Sequence, residues 1–316
     1  MKQDIVDILM SIRTYDTLNT TNEGDRMYGF MRIGLTAGRR SWSAGVLCLA
    51  VLTSAVTPAF AKAKLAPHRA IYDITLARTA TAAGIVELTG RMVYELTGDA
   101  CRGYKQAMRF VTRSTDRSGK PSIMDLRSSF WEDGSGATFR FETDQYRDEK
   151  LTESSAGDAS RDAAGTTVAV KIRQPDKKDF KIEKDVMFPV QHSAELLNAA
   201  LAGKTIYTSD LYDGSEKGTK VYVTTAVLGK RNEGGHNATL ARVENAEALD
   251  GLASWPVSLS YFDPEKGGTD TLPTYELAFL FFENGVSRRL VIDYGHFAIR
   301  GKLTKLEMLK AAACDK

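Results

Sequence analysis

The chain has 316 residues, of which 26% are charged and 43% hydrophobic, and its formal net charge is +2. That balance supplies a packed core and excludes a disordered chain, while the near-neutral charge gives no electrostatic case for a nucleic-acid or anionic-membrane partner. No apolar run approaches the roughly 20 residues that a bilayer-spanning helix needs.

Residues 1–61 are expected to be absent from the mature protein. Residues 1–26 fit no signal pattern, and Met27 or Met31 makes a normal start. Arg32, Arg39 and Arg40 then form a basic region, residues 46–56 an apolar core, and Ala59-Phe60-Ala61 a small-x-small cleavage site. The pattern predicts a soluble exported protein that begins at Lys62. The flanks of Arg39-Arg40 fit a twin-arginine signal poorly, and Leu47 before Cys48 is too bulky for a lipoprotein signal. Two cysteines remain after cleavage, Cys101 and Cys314. In an oxidising compartment such a distant pair is expected to form a disulfide. The chain-entropy account credits a loop that long with up to about 5 kcal/mol. No CxxC is present and no histidine stands near either cysteine, which argues against zinc.

The mature chain is predicted as one domain, residues 62–316, and almost entirely β. Alternating apolar positions mark strands from Arg69 through Leu76, over residues 85–97 and over 104–115, with Cys101 in the turn between the last two. Further strands are expected over 123–131, 137–146, 166–172 and 180–187, and the small polar stretch 154–165 is expected to be an exposed loop. A single helix is predicted over 190–202, with Val190, Ala194, Leu197 and Leu201 as its apolar stripe, Pro189 at its start and Gly203 closing it. Strands follow over 205–212, 220–228, 237–245 and 257–262. The C-terminal stretch, residues 275–314, alternates through Tyr275, Leu277, Phe279 and Phe281, turns at Asn284-Gly285, and returns through Leu290, Ile292 and Tyr294. Asn-Gly between such runs is a strong hairpin signal. A two-residue loop sets Tyr275 opposite Tyr294, Leu277 opposite Ile292, and Phe279 opposite Leu290. About a dozen antiparallel strands with one helix imply a barrel, a sandwich or a coiled sheet.

No motif carries a reaction. The hairpin register opposes Glu276 and Asp293, a like-charge pair of the kind that sometimes shares a proton, but both side chains are equally compatible with solvent. His68, His192, His236 and His296 show no metal-ligand spacing, and no GxSxG elbow supports a hydrolase triad. Residues 214–220 resemble a phosphate loop only in composition, and a hairpin turn accounts for them better. Asp263-Pro264-Glu265 lacks calcium-loop spacing, and Asn237-Ala238-Thr239 is a formal glycosylation sequon. Trp131 and Trp255 suit a core better than a ligand groove.

Several residues together resemble the EipB-like cell-envelope integrity family, long catalogued as a domain of unknown function in alphaproteobacteria. They are Phe188-Pro189 with Gln191-His192, Asp213-Gly214-Ser215-Glu216, and the stretch from Glu283-Asn284-Gly285 through Asp293-Tyr294-Gly295 to Cys314. The resemblance spans residues 62–316. It implies a periplasmic protein with a spiral, strongly curved antiparallel sheet like an incomplete barrel, and one disulfide on Cys101 and Cys314. It also implies a role in envelope stress tolerance without catalysis, and for some members a periplasmic partner with tetratricopeptide repeats. No catalytic, metal or cofactor residue carries over. The expected function is binding of a partner or an envelope component (a peptide, a peptidoglycan fragment or a lipid) in a concave groove. The alternatives are a lipid or lipoprotein carrier with an apolar cavity and, behind it, an envelope-polymer hydrolase.

Overall fold

The computed structural model describes residues 63–234, 243–266 and 272–311. The alternating segments form fourteen strands. The first eight are β1 (His68–Thr79), β2 (Ile85–Asp99), β3 (Gly103–Asp116), β4 (Pro121–Glu132), β5 (Thr138–Arg147), β6 (Lys150–Arg161), β7 (Val168–Gln174) and β8 (Lys178–Ile182). A helix, α1 (Pro189–Leu201), separates them from β9 (Ile206–Leu211), β10 (Tyr222–Leu228), β11 (Ser254–Phe262), β12 (Tyr275–Phe282), β13 (Ser287–Asp293) and β14 (Phe297–Met308). All fourteen belong to one sheet, ordered β8-β7-β6-β5-β4-β3-β2-β1-β14-β13-β12-β11-β10-β9. The end strands β8 and β9 do not pair with each other, so the sheet is an open coil and not a closed barrel. β1 pairs antiparallel with both β2 and β14, so these two flanking strands run parallel and leave the sheet at the same edge.

The β12–β13 hairpin keeps most of the expected register. Glu276 opposes Asp293 and Leu277 opposes Ile292, but Leu280 opposes Arg288. The loop is one residue longer than expected: the Phe282 N–H donates to Val286 O (2.9 Å) around a turn that ends at Gly285, φ 88°. Gly285 takes this left-handed conformation without a Cβ clash. A bulge at Arg289, φ 54°, then absorbs the extra residue and restores the register beyond it.

The helix occupies the hollow of the coil. It buries not only Val190 and Leu197 of the predicted stripe but also His192, Leu196, Ala199 and Ala200. The buried face is thus wider than a single stripe, while Gln191, Ser193, Glu195 and Asn198 stay half-exposed. Its partners include Leu65, Leu96, Leu228, Trp255, Val257 and Phe281. The Gly203 and Lys204 N–H groups close it by donating to Ala200 O and Ala199 O, each at 3.0 Å.

Two expected segments differ. Residues 154–161 are the second half of β6 and not an exposed loop. Their small side chains are a packing requirement: a Cβ on Gly157 would stand 2.6 Å from Phe141 Cζ and 2.7 Å from the Lys171 carbonyl. Of the strand expected over 237–245, residues 237–242 lie outside the described residues, and the rest is not a strand. Asn245 is left-handed at φ 59°, and a 3-10 turn runs from Ala246 to Leu249.

The two ends of the sheet meet without pairing. The turn expected from Asp213-Gly214 is the connection of the β9–β10 hairpin, where Tyr222 opposes Leu211, and residues 212–218 of it also lie on β5 and β6. Glu216 and Lys217 are both left-handed there, so the segment Ser215–Gly218 is a tight turn and not a helix. The Ser155 hydroxyl donates to Gly214 O at 2.8 Å, and buried Tyr212 packs against Phe139, Phe141 and Phe188. Met187 bridges in parallel to Leu211 and covers part of the free edge of β9.

Candidate ligand cavity

Inside the coil, beside α1, lies a cavity of about 560 Å³, within the size range of small-molecule sites. Cross-strand registers arrange its lining in rows. One row reads Tyr94, Met108, Ser128, Thr143, Ser155 across β2 to β6. The next reads Met92, Phe110, Leu126, Gln145, Glu153 across the same strands. Both begin apolar and end polar. The wall opposite, from β11 to β13, contributes Leu259, Leu277, Phe279, Leu290 and Ile292, with Leu196 from α1. Asp213, Ser215 and Glu216 line the cavity where the sheet ends meet.

That seam is acidic and aromatic. Tyr261 and Tyr275 stack at 4.3 Å, and Tyr222 meets both edge-on. The Tyr222 hydroxyl donates to Glu216 Oε1 at 2.8 Å. Burial raises the Asp213 carboxyl above the ordinary aspartate value, against the lowering effect of the bond from Ser215. The same burial pushes the Tyr275 and Tyr261 hydroxyls up.

The helix that floors the cavity is held from outside itself. Phe188 offers no capping side chain, and Glu132 at the end of β4 supplies one instead. Its two carboxylate oxygens accept the N–H groups of Val190 and Gln191, each at 2.8 Å, which satisfies two donors the helix leaves free. Burial outweighs these bonds and lifts the Glu132 carboxyl to about 7. Arg161 of β6 holds the preceding segment: it pairs with Asp185 and donates to Val186 O (2.7 Å) and Gln191 Oε1 (3.2 Å). Deeper in the helix, His192 Nε2 lies 2.9 Å from Thr224 Oγ1, and burial lowers its imidazole to about 4. His68, whose Nδ1 lies 2.7 Å from Ala66 O, is lowered for the same reason.

Of the sequence candidates, His68, His192 and, from the 214–220 loop, Ser215 and Glu216 line the cavity, and the others fall elsewhere. Glu276 and Asp293 oppose one another as predicted, but each has its own partner. Glu276 accepts from the Ser260 hydroxyl at 2.6 Å, and Asp293 from the Arg78 guanidinium at 2.8 Å. They form no proton-sharing dyad. Thr224 is fully buried and its hydroxyl donates to Ser209 O, so the His192–Thr224 pair presents no nucleophile to the cavity. Lys220, in the loop that resembled a phosphate site, donates to Asp263 at 3.1 Å and to Glu265 at 2.7 Å. Those bonds explain the Asp263-Pro264-Glu265 stretch as well. Trp255 is core, and Trp131 lies under Arg140, 5.2 Å from its ring. His236, the sequon at Asn237, Cys48, Cys314 and residues 1–61 lie outside the described residues. Cys101 sits in the β2–β3 turn, where Asp99 Oδ1 accepts its N–H at 2.8 Å. Among the described residues no group of histidine, cysteine and carboxylate side chains is gathered for a metal, and no helix is long and apolar enough to cross a membrane.

Sequence reasoning missed Glu132 and the polar row. The available signal was charge or amide at an inward position: Leu126, Ser128, Phe130 and Glu132 share one face of β4.

A sequence profile described as EipB-like matches residues 59–310. The chain is 39% identical over 246 residues to the cell envelope integrity protein EipB of Brucella abortus (strain 2308), covering 78% of this chain and 85% of that protein. It also superposes on a crystal structure from Brucella abortus, described as a beta-barrel-like protein of a domain of unknown function. The TM-score is 0.71 at 37% identity, over 78% of this chain and 100% of that one.

Proposed function

The chain belongs to the EipB-like family, and from that premise we propose that it is a non-enzymatic periplasmic protein that supports cell-envelope integrity by holding an envelope component inside its coiled sheet. The observation that carries this reading is the cavity of about 560 Å³, with apolar side chains on one wall and polar ones on the other. The name of the Brucella relative supports the envelope role. A wholly apolar tunnel, as a simple lipid carrier requires, fits less well, because one row ends in Ser128, Thr143 and Ser155 and the next in Gln145 and Glu153. A tetratricopeptide-repeat partner belongs to the same proposal, tested by co-purification with that protein.

The Cys101–Cys314 bridge is also part of the proposal. Cys101 is not a free thiol, and β2 and β14 carry the chain toward one edge of the sheet on either side of β1. A bridge there ties the neighbouring ends of three strands.

The test is genetic. A strain lacking the protein is expected to become detergent-sensitive, and wild type is expected to restore resistance. Ser128→Trp, which fills the cavity, is expected to fold and export normally yet fail to restore it. Full rescue by Ser128→Trp contradicts the cavity's role.

A further inference from the structure

The cavity is uneven in charge as well as polarity. Among the described residues no lysine or arginine lines it, whereas Glu153, Asp213 and Glu216 do. Its two histidines, His68 and His192, are held neutral by burial. Gln106, Ser128, Thr143, Gln145 and Glu153 make no side-chain hydrogen bond or ion pair with any other described residue. The fold therefore does not use these half-buried groups for its own cohesion, which leaves them available to a ligand. An anionic headgroup placed among them loses water and gains no counter-charge, and meets carboxylates of its own sign. An ammonium group finds the reverse: a carboxylate with no cation partner among the described residues, and hydroxyl and amide acceptors in adjacent registers.

Resting on the reading that the cavity is a binding site, we propose that its occupant is an amphiphile with an ammonium head. The apolar chain lies along the wall from Met92 to Ile292, and the head lies at Glu153 near the Asp213–Glu216 loop. This excludes fatty acids and phospholipids of net negative charge as the preferred ligands. It also gives the uneven rows one purpose, because the apolar and polar ends match the two ends of such a molecule.

Calorimetric titration of the purified protein with decylamine, decanol and decanoate near neutral pH tests this, since the three share a chain and differ in head charge. Decylamine is expected to bind at least about tenfold more tightly than decanoate, roughly 1.4 kcal/mol. In Glu153→Gln that ratio is expected to shrink to about threefold or less, with decanol affinity and thermal stability unchanged. The double variant Glu153→Gln, Glu216→Gln is expected to abolish it. Decanoate binding as tightly as decylamine, or a ratio unmoved in both variants, overturns the ammonium assignment but leaves the cavity reading intact. Binding of none of the three overturns both.

Discussion

Across β2 and β11 to β13, the inward side chains apart from Ser287 are leucine, isoleucine, methionine, phenylalanine and tyrosine, several of them packed against α1. Across β4 to β6 the same cross-strand rows continue as Ser128, Thr143, Gln145 and Glu153. One wall is committed to cohesion, while the other leaves its polar atoms unspent. The difference teaches where stability and function separate in this molecule. A curved sheet needs only part of its concave face for a core, and the remainder is free to meet a ligand.

Substitutions on the two walls should therefore diverge. Phe281, 4% exposed, packs in the core around α1. Phe281→Ala is expected to cost about 3–5 kcal/mol, read from the denaturant midpoint. A loss under about 1 kcal/mol would break the comparison. Cys101→Ser, which removes the proposed bridge to Cys314, is expected to cost about 2–4 kcal/mol, with reductant producing the same loss in wild type.

The helix joins the walls, and its two buried titrating groups act in opposite directions. The Glu132 carboxyl is raised from 4.5 to about 7, so between those values the folded state binds more protons than the unfolded one. Its contribution to stability falls as pH rises through that window. The His192 imidazole is lowered from 6.5 to about 4. Here the unfolded state binds more protons, and stability falls as pH drops from 6.5 toward 4. The two slopes oppose each other where the windows overlap. Glu132→Gln is expected to expose a stability that drops on acidification, and His192→Gln one that drops on alkalinisation, each on the order of 1–3 kcal/mol. Parallel profiles in the two variants would contradict the assignment. At the small end, Gln145→Ala on the uncommitted wall is expected to change stability by less than about 0.5 kcal/mol.

Much of this architecture was legible in residue order, and what was hidden has physical causes. Alternation located most strands, and Pro189 and Gly203 bounded the helix because their backbone preferences act locally. The hairpin register survived because Leu277 and Ile292 must share the core face, even though the turn took three residues and Arg289 had to bulge to compensate. By contrast, β6 looked like loop, because its serines, alanines and glycine are small to fit beneath Phe141, a contact with another strand. The loop 212–218 was legible as the β9–β10 hairpin connection, but its contact with Ser155 was not, because that partner lies far away in sequence. Glu132 gave no capping signal near the helix it caps. Sequence order shows which residues alternate but not which rows of a coiled sheet line a hollow, so the cavity and its polar wall emerged only from the registers.

The measurement closest to the central claim is native mass spectrometry of the protein isolated from its own envelope, alongside Ser128→Trp. Wild type is expected to carry an amine-bearing amphiphile that is released on unfolding, and the filled variant is expected to carry none. Wild type recovered without ligand, or the same molecule retained by Ser128→Trp, would contradict the account.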